Sequence, residues 1–295
     1  FSPAYYSTTI PSRVATIYMN NLNTTNVNSF YRLFRDCVNL TRLECDKVNT
    51  TNVTNFEDMF YNCKSLNFST VKSICDWDTS SLVSCGGMFY GCINLEFIDL
   101  SKWNTINLTS ICTLQNIGMF TGCVMLKAID LSNWDISSLN TADNLFYACA
   151  GLTVVDLTNW NLSGNISVSN MFTGCSSLVT IFCQHDWSLL DETQGMFTDC
   201  SNLVGAIRYS SSKTTAAYAN PSTGYFTIQS TNKLLKAIVS WTKISEKYCQ
   251  YVVFTGDENA ADFSSYIMNL CADYEVEITS VYVAGDCYRR RFENV

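Results

Sequence analysis

Charge is scarce in this 295-residue chain: Asp, Glu, Lys and Arg together make up 15% of it, well below the roughly 25% usual for soluble domains. What charge there is leans negative, with 18 Lys and Arg against 26 Asp and Glu and a formal net charge of −8. Binding to nucleic acid needs a clustered basic footprint. The one basic run, Arg289-Arg290-Arg291, lies near the end of the chain and reads as a solvated tail, so no nucleic-acid partner is expected. Long apolar runs are missing as well. None approaches the ~18 residues that read as a membrane-spanning helix, and the stretch from Leu234 to Trp241 is broken by Lys236 and Ser240. Histidine is almost absent. His185 stands alone, which rules out His-based zinc sites and leaves a Ser-His-Asp triad little to draw on. No Cys-x-x-Cys pair occurs, and zinc sites usually need such local ligand pairs. No metal or other cofactor is expected.

What the chain has is apolar bulk and repetition. Hydrophobic residues make up 47% of it, enough for a sizeable core in one or two domains. The phrase Met88-Phe89-Tyr90-Gly91-Cys92 has six relatives, ending at Cys37, Cys63, Cys123, Cys149, Cys175 and Cys200. These seven cysteines stand 26, 29, 31, 26, 26 and 25 residues apart. A second phrase follows five of them: Leu40-x-x-Leu43-x-Cys45, Leu95-x-x-Ile98-x-Leu100, Leu126-x-x-Ile129-x-Leu131, Leu152-x-x-Val155-x-Leu157 and Leu178-x-x-Ile181-x-Cys183. Trp103, Trp134, Trp160 and Trp187 come next, with Val48 in the tryptophan's place in the earliest copy.

Leu-x-x-Leu-x-Leu is the strand phrase of leucine-rich repeats. Side chains alternate along a strand, so its fourth and sixth positions point inward and its third and fifth outward. The stretch leading to Met-Phe reads as a short helix or turn on the opposite side. One such unit cannot bury its apolar face alone, but stacked units share a continuous core.

The joint pattern of Met-Phe-x-Gly-Cys, Leu-x-x-Ile-Asp-Leu-Ser-x-Trp and the next Met-Phe resembles the BspA-like leucine-rich repeats of bacterial surface proteins. Leu203-Val204-Gly205, Ala216-Ala217-Tyr218-Ala219 and Gly224-Tyr225-Phe226-Thr227 resemble that family's closing segment. The resemblance covers about residues 13–227. It implies an α/β solenoid, a leucine-rich-repeat-like right-handed stack of about eight turns with a parallel sheet. It also implies adhesion or ligand binding at a cell surface. It brings no catalytic residue, and similar repeats occur on phage virions.

The expected organisation is a lead-in over 1–12, the solenoid over 13–207, its closing loop over 208–227, and a small α/β cap or docking segment over 228–295. In the last segment, 232–248 and 260–272 read as helices, and 251–255 and 275–284 as strands.

The cysteines number 15, so they cannot all pair with one another. Equivalent repeat positions next to aromatic residues suggest a buried column of free thiols. Disulfides between turns and metal ligation are the competing readings. A catalytic thiol needs a base beside it, and His185 falls at a variable loop position. Asp99, Asp130 and Asp156, preceded by Glu44 and followed by Phe182, occupy one outward strand position. The other outward position is held by Arg42, Phe97, Val154 and Thr180, among others. These nine residues form the candidate ligand-binding face: an acidic stripe with Phe97 and Phe182 as exposed aromatics. The alternative is that each Asp bonds nearby Ser or Thr groups and serves the fold. The expected function is non-enzymatic: adhesion or ligand binding through the solenoid face, outside the cell, with a protein or glycan on a cell surface as partner. A larger assembly could form through the C-terminal segment. The alternative is a phage fibre or decoration protein acting in host attachment or as a spacer.

Overall fold

A computed structural model describes residues 13–162, 166–190 and 195–228, and beyond them three strands at 236–243, 246–253 and 277–284. The chain divides into two compact units, Phe1–Ile228 and Gln229–Val295.

In the first unit the repeated strand phrases pair in parallel. β1 (Thr16–Tyr18) lies beside β2 (Arg42–Glu44), with Ile17 opposite Leu43. β3 (Ala128–Asp130), β4 (Val154–Asp156), β5 (Thr180–Phe182) and β6 (Phe226–Thr227) form a four-stranded sheet in that order. Its register puts Ile129, Val155, Ile181 and Phe226 on one rung. These strands have two or three residues each, too short for independent stability. They hold because each buried rung continues into the next.

The Met-Phe phrases form no helix. They run as consecutive turns. The residue before each cysteine (Asp36, Asn62, Gly91, Gly122, Ala148, Gly174 or Asp199) takes a positive φ between 59° and 80°. Gly, Asn and Asp tolerate that region best. The turns are tied together by backbone bonds: the Phe60 N–H donates to the Met88 carbonyl at 2.8 Å and the Phe89 N–H to that of Met119 at 2.9 Å. Rings of equivalent phenylalanines stack along the axis, with 5.6 Å between Phe60 and Phe89 and between Phe89 and Phe120. A parallel column runs Trp103, Trp134, Trp160, Trp187 at 6.2–6.5 Å. Each fully buried Phe contributes on the order of 1.5–3 kcal/mol of hydrophobic stabilisation.

Two expectations are corrected. The parallel sheet is not continuous. Between β2 and β3 the chain forms α1 (Phe68–Val71) and a 3₁₀ segment over Lys72–Asp76 instead of a strand. The cause is local: Cys63 to Trp77 is three residues longer than Cys92 to Trp103, and the extra chain coils. The phrase Leu95 to Leu100 keeps its buried positions without strand pairing. The helix expected over 232–248 is also overturned. β7 (Lys236–Lys243) and β8 (Glu246–Val253) pair antiparallel, and β9 (Glu277–Ala284) covers the other edge of β7. Val239, Thr242, Tyr248, Tyr251, Val252 and Val253 are β-branched or aromatic, and such side chains suit a pleated sheet better than a helix. The helix expected over 260–272 lies outside the described residues.

Candidate functional site

The recurring cysteines form a hydrogen-bonded ladder. Cys63 Sγ donates to the Phe34 carbonyl at 3.0 Å, Cys92 to Phe60 at 3.2 Å and Cys123 to Phe89 at 3.1 Å. Cys149, Cys175 and Cys200 continue it to Phe120, Phe146 and Phe172 at 3.0–3.1 Å. Each of these carbonyls also accepts the backbone N–H of the cysteine in its own repeat, as Phe34 does from Cys37 and Phe89 from Cys92, both at 3.1 Å. A carbonyl oxygen has two lone pairs, so the thiol takes the second. The described cysteines shown as free are buried except Cys37, which is half-buried. Burial pushes the Cys149 and Cys200 thiols up to about 12 and the Cys92 thiol higher still. A nucleophile or metal ligand needs the opposite shift. Cys183, also pushed up to about 12 by burial, lies 3.7 Å from the His185 carbonyl oxygen. The His185 ring instead sits 3.5 Å from Gln184 Nε2.

The acidic stripe is built into turns. Asp99 accepts the Ser101 N–H at 3.0 Å. Asp130 accepts the Ser132 N–H and hydroxyl at 3.0 and 2.7 Å, and Asp156 those of Thr158 at 2.9 and 2.6 Å. Asp130 and Asp156 stand opposite each other in register. Asp156 is only 2% exposed, so it is not an outward contact.

The exposure expected for the two aromatics is overturned as well. Phe97 is 8% exposed and meets Phe68 of α1 edge-on at 4.9 Å. Phe182 is 4% exposed, flanked in register by Asp156 and Thr227. Neighbours in register cover Phe182, and α1 covers Phe97, at positions that alternation alone would leave open. The remaining candidates fall into two separate places. Arg42 and Glu44 form an ion pair on β2, with the guanidinium 5.8 Å from the Tyr18 ring. Val154 and Thr180, both half-exposed, stand opposite each other on β4 and β5.

Two features escaped the sequence. The first is an Arg–Tyr stack two residues before the recurring cysteine. The Arg35 guanidinium lies 3.6 Å from the Tyr61 ring centroid, and Tyr61 stacks on Tyr90 at 4.2 Å. The buried Asp58 fixes the arrangement: its Oδ2 takes Arg32 Nε at 3.0 Å and Arg35 Nη1 at 2.5 Å. Aligning position two before each cysteine would have brought Arg35, Tyr61 and Tyr90 into one column.

The second is a cleft of about 340 Å³ lined by residues that include Asp46, Ser73, Asp76, Trp77 and Asp78. The indole N–H groups of Trp103, Trp134, Trp160 and Trp187 each donate to a carbonyl of the preceding repeat at 2.9–3.2 Å. Trp77 Nε1 is buried and has no partner. Such a donor costs on the order of 1–3 kcal/mol. The long interval from Cys63 to Trp77 was the available signal.

Among the described residues, no group of three or more His, Cys, Asp or Glu could hold a metal ion, and no helix is long and apolar enough to cross a membrane. The family described as "Mycoplasma protein of unknown function, DUF285" matches residues 15–73, 28–115, 84–210 and 114–241. No curated protein and no solved structure matches the chain.

Proposed function

The chain belongs to the DUF285 family, and on that footing we propose that it is a non-enzymatic, surface-displayed repeat protein that binds a partner through the open parts of a solenoid. The solenoid we propose is right-handed and BspA-like, with about eight turns of leucine-rich-repeat type. Its partner is a protein or glycan on a cell surface.

The observation that carries this reading is the thiol ladder. The residues that recur most conspicuously, and that could have done chemistry, are buried and hydrogen-bonded from repeat to repeat. What differs between repeats is the surface. There the chain offers Arg35, Tyr61 and Tyr90 in one stack and Tyr18 with Arg42 at another place. Tyr and Arg are over-represented among the residues that dominate binding energy, and repeat proteins characteristically recognise partners over an extended surface.

The test is gold-labelled antibody on intact, unpermeabilised source cells, together with saturable binding of the purified full chain to target cells. Label on the envelope is expected. Replacing Arg35 and Tyr61 together by Ala should weaken binding by about tenfold or more, the scale of one interface hot spot. Label that appears only after permeabilisation would overturn the surface reading, as would cell binding indifferent to both replacements.

A further inference from the structure

We propose that Leu114, at the tip of a hairpin over 112–118, is the anchor by which the chain docks a protein partner, one that offers a leucine-sized apolar pocket with an uncharged, hydrogen-bonding rim. This deepens the binding reading above and rests on it: of the two partner classes named there, it selects protein over glycan.

The hairpin is an insertion. Trp103 stands 16 residues before Met119, whereas 11 separate Trp77 from Met88 and Trp134 from Leu145. The extra chain folds back on itself. Cys112 bridges Gly118 in antiparallel fashion, and the Thr113 N–H donates to the Ile117 carbonyl at 3.0 Å. The Asn116 N–H closes the turn onto the Thr113 carbonyl at 2.9 Å. Thr113 Oγ1 accepts the N–H groups of Gln115 and Ile117 at 3.3 and 3.1 Å. The side-chain amide of Asn144, in the next repeat, donates to the Asn116 carbonyl at 2.9 Å. The tip is therefore fixed before a partner arrives, and a preorganised loop loses little freedom on binding.

On this frame Leu114 is 97% exposed. The turn does not ask for it. Asn116 has φ +59°, a region that Asn tolerates, but the central positions of a turn favour Gly, Pro, Asn, Asp and Ser over a leucine. The core does not ask for it either, since Thr113 and Gly118 are the buried residues of the hairpin's base. Its place is the second observation. A Cβ on Gly87 would lie 3.2 Å from Thr113 Cγ2 and 2.5 Å from Asp58 Oδ1, so the hairpin's base and Asp58 meet there. Asp58 is the carboxylate that holds Arg35, whose guanidinium covers Tyr61, and the Tyr90 N–H donates to the Gly87 carbonyl at 3.0 Å. The hairpin thus adjoins the Arg–Tyr stack, and one partner can meet both.

The chemistry of the tip selects the partner. A leucine side chain has no hydrogen-bonding group and no ring face, so it gives a sugar nothing to recognise. A bilayer fits no better. Residues 112–118 contain no Lys or Arg to meet lipid headgroups, and even a myristoyl chain alone gives only marginal, reversible membrane binding. An apolar pocket on a folded protein buries the leucine, and its rim can pair with the exposed amides of Gln115 and Asn116.

The experiment measures saturable binding of the purified full chain to intact target cells, with protein-free vesicles of phosphatidylcholine and phosphatidylserine as a parallel arm. Leu114→Asn and Leu114→Met are compared with the unaltered chain, and because the position is exposed their thermal melts should match it. Leu114→Asn should weaken cell binding about ten- to a hundredfold, the effect of no longer burying one leucine. Leu114→Met, of similar volume, should retain most of it. Protease treatment of the cells should abolish binding, and periodate oxidation of their glycans should leave it. The assignment is overturned if Leu114→Asn binds as the unaltered chain does, if Leu114→Met is as weak as Leu114→Asn, if the vesicles bind the chain through Leu114, or if periodate abolishes binding and protease does not. Indifference to Leu114→Asn alongside dependence on Arg35 and Tyr61 would remove only this anchor. Absence of saturable binding by the unaltered chain would remove the binding reading and the anchor together.

Discussion

Cys92 looks reactive when its own five residues are taken alone, and burial is what changes its character. Its thiol is fully buried and donates to the Phe60 carbonyl at 3.2 Å. Burial raises the thiols of this column above their ordinary value of 9.0, to about 12 for Cys149 and Cys200. The folded chain thus holds these protons more tightly than the unfolded chain does. Their contribution to stability is complete below about pH 9 and is lost as pH rises from there toward about 12, at up to about 1.4 kcal/mol per thiol and pH unit. The urea midpoint should fall steeply between about pH 9 and about pH 10.5 after a shallower course near pH 7. A midpoint unchanged across that interval would contradict the ladder. Asp130 tests the stripe in the same way. Asn in its place keeps an oxygen for the Ser132 N–H, so Asp130→Asn should cost little, within about 0.5 kcal/mol. Asp130→Ala should cost about 1 kcal/mol by losing the turn bonds, measured by urea unfolding. Much at this scale was legible. Seven equivalent cysteines beside aromatic residues announced a packed column, and Asp beside Ser or Thr announced capped turns. The burial of Phe97 was not legible, because it depends on Phe68 of α1, an element that the repeat pattern does not contain.

Among the elements, the turns before the cysteines carry the clearest conformational demand. Ala148 has φ +59° where Gly91, Gly122 and Gly174 stand in other repeats. Ala148→Gly should therefore raise stability, by up to about 1 kcal/mol, because Gly occupies that region without steric cost; a thermal melt reads the change. Gly118 obeys a different constraint. A Cβ there would lie 2.1 Å from the Asn144 carbonyl oxygen, so Gly118→Ala should be strongly destabilising, by more than about 2 kcal/mol, through forced backbone movement. Equal effects of the two substitutions would refute this distinction. The parallel pairing of short strands was legible because its phrase recurs. The coil over Phe68–Asp76 and the β7–β8 pairing were not. In the first case an insertion broke the period. In the second, Leu234, Leu235, Ile238, Trp241 and Ile244 matched a helical spacing while the neighbouring Val and Thr residues favoured a strand.

For the whole repeat region, coupling between neighbours is the governing idea. Each Phe ring engages the repeats on either side, and each thiol and Met carbonyl is bonded to the repeat before it, so stability should behave as a sum of nearest-neighbour terms. Phe120→Ala, in the middle of the stack, should cost about 3–5 kcal/mol and should weaken the repeats around it together, which hydrogen exchange can resolve by segment. The functional proposal depends on the recurring residues being scaffold, and thiol labelling tests this most directly. The native full chain is treated with an alkylating reagent at about pH 8, just below the ordinary thiol value, then digested and weighed, alongside a sample unfolded without reductant. The account predicts no label on Cys63, Cys92, Cys123, Cys149, Cys175 or Cys200 in the native chain and complete label on all six once it is unfolded. Rapid native labelling of any of them, or failure to label when unfolded because they are joined as disulfides, would contradict it.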